Sequence, residues 1–168
     1  MRKYLVVVDR HKAPTGTRFL NYFLDRIFIQ IIFYIFFFAF ALFYSIVFGE
    51  IISEEDIDNN TSVAVSIIIS YFFVFFAYFF FMEYYLGKTI AKYITGTKVI
   101  SIDGNQPTSL QIVGRIFSRM VPFDSLSFFG ESGWHDKWSE TRVINIKNYQ
   151  AEIQAKSEIE ALGKKEIA

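Results

Sequence analysis

The sequence predicts an all-α membrane protein with two transmembrane helices, an amphipathic or interfacial helix and a small two-stranded cytoplasmic sheet. Three observations carry this. Two stretches without formal charge, Ile27 to Phe48 and Val63 to Met82, are each long enough to cross a bilayer. The chain of 168 residues is 52% hydrophobic and 20% aromatic, with 21 Phe, a load far above that of a soluble domain of this size. Lysine and arginine flank the two stretches, and the segment between them has neither.

The first span is placed at about residues 26–48, where 22 uncharged residues rising about 1.5 Å each cover a hydrocarbon core of about 30 Å. Phe and Ile favour strands by propensity, but lipid demands that every backbone polar group be satisfied within the segment, so a helix is expected. Met1 to Gly16 has only a brief apolar run, Leu5 to Val8, too short for a signal-peptide core, and the first span is expected to target the chain itself. Glu50 to Asn60 holds five acidic residues and no basic one and reads as a hydrated loop. It lacks the glycine turn and late glutamate of a calcium-binding loop.

The second span is placed at about residues 62–82. Tyr84, Tyr85 and Lys88 follow it as an interfacial belt. Arg2, Lys3, Arg10, Lys12, Arg18 and Arg26 precede the first span and Lys88, Lys92 and Lys98 follow the second, so both termini are expected in the cytoplasm. Gly87 to Thr95 reads as an amphipathic helix stopped by Gly96, and Thr97 to Ile102 as a strand leading into the turn Asp103-Gly104-Asn105. Pro107, Thr108 and Ser109 open a helix from Leu110 to about Val121, on which Arg115 and Arg119 stand one turn apart.

Pro122 ends that helix. The apolar piece Phe123 to Gly130 contains Asp124, is too short to span, and is expected in the interface or as a re-entrant segment. Thr141 to Ile146 alternates as a strand able to pair with Thr97 to Ile102. Residues 147–168 form a polar tail for which a solvated helix and a disordered segment both stay open.

Several chemistries lose their footing in the sequence. The absence of cysteine excludes disulfides, thiolate metal sites and cysteine nucleophiles. His135 beside Asp136 has only His11 as a companion histidine, without metal-ligand spacing, so no metal is expected. Ser125, Ser127, Ser132 and Ser139 lack a nucleophile elbow, and Gly87-Lys88-Thr89 lacks the glycine a phosphate loop needs, since Met82 stands there. No catalytic residue, cofactor or nucleic-acid partner is expected. Lys88, Lys92 and Lys98 are assigned to anionic lipid.

The pattern Thr17-Arg18-Phe19-Leu20, Tyr22 and Leu24-Asp25 precedes the first apolar run. Gly87-Lys88-Thr89, Lys92 and Gly96-Thr97-Lys98-Val99 follow the second, and His135-Asp136-Lys137 comes later. Over residues 14–146 this order and spacing resembles the RDD family of small bacterial membrane proteins, named for one arginine and two aspartates. The resemblance implies a bacterial cytoplasmic (inner) membrane location and points to Arg18, Asp25 and Asp136. It also implies a third span, where this chain has only Val121 to Gly130, and some members have been linked to sodium or proton antiport.

Arg18 and Asp25 share a helix face about 10 Å apart along the axis, too far for a direct pair. Asp25 is therefore expected to pair with Arg115 or Arg119, and Arg18 with Asp136 or Asp124. Glu83 closes the second span as an interfacial carboxylate that a nearby cation would stabilise, and it could join the same cluster. One reading makes these charges a structural staple in a non-enzymatic membrane protein with a structural or interaction role. Its partners would be membrane lipids and either a second copy or another membrane protein. The alternative is a small sodium, proton or other ion transporter in which Asp25 is the coupling residue. In a third reading, Arg18 and Arg26 merely snorkel to headgroups.

Overall fold

The computed structural model describes residues 5–49, 51, 53, 60–120, 136 and 138–166. Val6–Arg10 forms a short helix, α1. Helix α2, Thr15–Phe48, follows after Pro14, whose fixed φ suits the residue before a first helical turn. This helix starts eleven residues before the expected first span, at 15 rather than 26. No proline interrupts Thr15 to Arg26, so the charged residues ahead of the apolar run continue the same helix. Its buried residues Arg18, Asn21, Asp25, Ile29 and Phe33 recur every three or four positions, a single stripe along one face. At 34 residues it is about 50 Å long, well beyond the hydrocarbon thickness.

Helix α3, Thr61–Tyr85, opens on Asn60, whose side chain accepts the Ser62 N–H. It buries Val74, Phe75, Tyr78, Phe79 and Glu83. The apolar windows of α2 and α3 are only 6% and 22% buried, so neither is the core helix of a soluble domain. Both are long and apolar enough to cross a membrane. The fold is an all-α membrane type with a small sheet at the base, the end at which α2 begins and α3 finishes.

Helix α4 spans Ile90–Thr95, and strand β1, Thr97–Ser101, follows a left-handed Gly96 (φ 65°). The expected helix from Gly87 begins three residues later because Gly87 is left-handed (φ 65°) and Thr89 is the extended N-cap. Helix α5 spans Ser109–Met120. A capping box opens it: the Thr108 N–H donates to Gln111 Oε1 at 3.0 Å and the Gln111 N–H to Thr108 Oγ1 at 3.4 Å.

Strand β2, Thr141–Asn145, pairs antiparallel with β1 in the register Val99 opposite Val143. Each strand stops one residue short of its expected end. The tail is a helix, α6, Ile146–Glu166. The segment before α2, in which no element was expected, extends the sheet: Lys12 bridges to Ile144, the Ala13 N–H donates to Val143 O at 2.8 Å, and the Asn145 N–H to His11 O at 2.9 Å.

Ile29 of α2, Phe75, Tyr78 and Phe79 of α3, and Ile112 and Ile116 of α5 form the main apolar core, so α5 packs as a third helix against the base-proximal halves of the two long ones. The expected interfacial piece Val121 to Gly130, with Asp124, lies outside the described residues, as does the place where a third span would stand.

Candidate functional site

Between that core and the sheet lies a network of charged side chains, none more than 6% exposed: Arg18, Asp25, Glu83, Lys92, Arg115, Arg119 and Asp136. Each element contributes because its charged residue falls on the stripe that packs inward. Arg18 and Asp25 continue the line of Ile29 and Phe33 on α2, and Arg115 and Arg119 continue that of Ile112 and Ile116 on α5.

Glu83 is the hub. Its Oε1 accepts from Lys92 Nζ at 2.5 Å and Arg119 Nη2 at 2.7 Å, and its Oε2 from Arg115 Nε at 3.1 Å. Glu83 is 1% exposed, so it joins the charged cluster, one of the two places open to it, and is not a solvent-facing interfacial carboxylate. Arg115 bridges to a second carboxylate, donating from Nη1 to Asp136 Oδ1 at 2.5 Å and to Thr141 Oγ1. Arg18 Nη1 stands 3.6 Å from Asp136 Oδ2, while its Nε donates to Ala13 O at 3.1 Å. Arg119 lays its guanidinium over the Phe79 ring, 4.1 Å from the centroid.

Asp25 does something different. Its Oδ1 accepts from Tyr78 Oη at 2.8 Å and more distantly, at 3.4 Å, from the Ala91 N–H; its Oδ2 accepts from Thr89 Oγ1 at 2.8 Å. The Tyr78 oxygen in turn accepts the Ile90 N–H at 3.3 Å. The Asp25 carboxylate on α2 and the Tyr78 hydroxyl it holds thus cap the first turn of α4 together, each accepting one backbone N–H that the helix itself leaves unpaired. The expected pairing with Arg115 or Arg119 is not what Asp25 makes. Its hydroxyl and amide donors satisfy a carboxylate without a cation, and Glu83 takes both arginines. Next to it Asn21 joins α4 to β1, accepting from Thr95 Oγ1 at 2.6 Å and donating to Thr97 Oγ1 at 3.0 Å.

Lys92 is the residue the sequence misplaced. Assigned to lipid with Lys88 and Lys98, it is 2% exposed and bonded to Glu83. Its presence in the Gly87-Lys88-Thr89-x-x-Lys92 pattern is the signal, with Thr89 at the N-cap of a short helix and Lys92 three residues on. Tyr78 and Asn21 carried no such signal. Lys88 instead lies over the Tyr93 ring at 5.0 Å. Arg26 sits between the rings of Tyr22 and Phe75, at 5.2 and 5.3 Å, with Nη2 3.5 Å from Arg119 O.

Among the described residues four cations face three carboxylates here, and Arg115 Nη2 and Arg119 Nε are buried without a hydrogen-bond acceptor. Burial pushes the Lys92 ammonium down to about 8, against the pull of Glu83 and with the two arginines adding to the push. Burial also disfavours the charged form of Arg115, but Glu83 and Asp136 outweigh it and raise its pKa. A cavity of about 10 Å³, room for the centre of one water, is lined by Arg18, Asn21, Asp25, Lys92 and Arg119. Among the described residues no three His, Asp or Glu side chains gather as metal ligands.

Two membrane-length apolar helices rooted in a buried ionic network above a two-stranded sheet define a small helical protein of membrane type. The chain belongs to the RDD family, whose family model matches residues 12–140. Comparison with curated proteins and with solved structures gives no match.

Proposed function

We propose that this RDD-family protein is a non-enzymatic structural or interaction element of the bacterial cytoplasmic membrane, with both termini in the cytoplasm. Its buried network fastens the two spans to a compact base that meets lipid and a further membrane protein or a second copy. The observation that carries this reading is the Glu83 carboxylate, which accepts from cations on α4 and α5 while buried at the end of α3. Such a carboxylate ties three elements at one point. The orientation follows from the basic flanks and the acidic segment between the spans.

Breaking a buried ion pair by removing one partner costs about 3–5 kcal/mol. Glu83→Gln therefore lowers the yield of folded protein and its melting temperature in detergent. Normal accumulation and an unchanged melting temperature would sink the structural reading.

An ion-coupling role for Asp25 asks for a carboxylate reachable from water, whereas Asp25 is 1% exposed, holds three donors and borders a cavity fit for a single water. Sodium or proton flux in vesicles that is lost in Asp25→Asn would establish transport in its place. Thiol labelling of Asp56→Cys and Gln150→Cys from either side of the membrane tests the orientation, because the chain has no cysteine of its own.

A further inference from the structure

Two of the buried cations carry more protons than their neighbours accept. Lys92 has three ammonium protons and, 2% exposed, makes one hydrogen bond among the described residues, to Glu83 Oε1. Arg119 Nη2 donates to that same oxygen, and Arg119 Nε is buried without an acceptor. Both side chains line the small cavity that Arg18, Asn21 and Asp25 share with them.

We propose that this cavity is a binding site for one monatomic anion, chloride under cellular conditions. The inference uses the geometry of the ionic network and does not rest on the role proposed for it. Three observations choose the ligand. The protons left over belong to cations, and an anion accepts from Lys92 and Arg119 at once without bringing protons of its own. A water would bring two, and the Asp25 carboxylate on this wall already holds Tyr78, Thr89 and the Ala91 N–H. Among the described residues the wall sets three cations, Arg18, Lys92 and Arg119, against the one carboxylate of Asp25. Glu83 and Asp136 stand behind those cations and not on the wall, so the field inside favours negative charge. The cavity leaves the centre of a water about 10 Å³ to move in, room for the slightly larger halide but not for phosphate or sulfate.

The test is chloride binding to the intact full-length protein in detergent, read by equilibrium dialysis against radioactive chloride, with gluconate holding ionic strength constant. One chloride per chain is expected, displaced by bromide and not by phosphate or gluconate, and the melting temperature should rise with chloride concentration. Lys92→Met removes one donor cation, and Val143→Ile, on the cavity wall, takes up the space with every charge kept. Each should weaken binding at least about tenfold. No bound chloride, displacement by phosphate, a melting temperature that follows ionic strength alone, or undiminished binding in every variant that folds would each overturn the proposal. Read in gluconate, the melting shift of Glu83→Gln does not depend on chloride, so the two ideas fail separately.

Discussion

At the scale of single residues, the separation between Asp25 and Glu83 governs what each substitution does. Glu83 balances cations, while Asp25 collects neutral donors. Thr89→Val removes one of them, leaving Oδ2 of a buried carboxylate without its hydroxyl, and should cost about 1–3 kcal/mol in detergent melting. Made in an Asp25→Asn background it should cost distinctly less, because the two changes share one bond. Lys92 gives a pH signature. Its folded pKa of about 8 lies below the ordinary 10.5, so the folded chain holds this proton less tightly than the unfolded chain. The penalty is fully present below about pH 8 and fades as pH rises toward 10.5, so this group adds stability across that window. The wild-type melting temperature should therefore rise relative to Lys92→Met between pH 8 and 10; parallel curves would contradict this. The motif containing Lys92 was visible in the sequence, yet a lysine just past a span reads as a lipid contact. Only the packing of α4 against α2 and α3 turns it inward.

At the scale of elements, the sequence located nearly every boundary that a local signal marks. Gly96 ended α4, Thr108 opened α5 and alternation found both strands. What it missed lacked such a signal. The start of α2 at Thr15 was hidden because charged residues continue an apolar helix without any break, and the segment from Leu5 to Ala13 joins the sheet through backbone bonds that side-chain pattern does not reveal. The Asp25 pairing failed for a related reason: sequence distance suggests which charges exist, but the crossing of three helices decides which meet. Gly96 offers a clean element-level test. It is left-handed, and a Cβ there meets nothing within 4 Å, so Gly96→Ala should cost only the backbone strain, about 1–2 kcal/mol in melting. Gly96→Asn, which tolerates that conformation better, should cost less.

At the scale of the whole molecule, two groups of side chains fasten the base besides the sheet itself. One is the buried network; the other joins α6 to α1, where Glu152 accepts from Arg10 at 2.8 Å, meets His11 Nε2 at 2.6 Å and pairs with Lys156 at 2.9 Å. Hydrogen bonds from Lys156 and His11, with the charge of Arg10, hold the Glu152 carboxyl at about 2. This contribution is complete above about pH 4.5 and is lost as pH falls toward 2. Glu152→Gln at neutral pH should reproduce the loss as faster amide exchange confined to α6, with the amides of α3 and α5 unchanged. Arg18, near the start of the chain, meets Asp136, near its end, and both sit against partners on helices made in between. Translation therefore delivers Arg18, Asp25 and Glu83 before the carboxylate of Asp136 exists, and a nascent chain interrupted before that point leaves Arg115 with one anion where the finished protein gives it two. The emergence of residue 136 is in this way registered as a second counter-charge on a buried guanidinium.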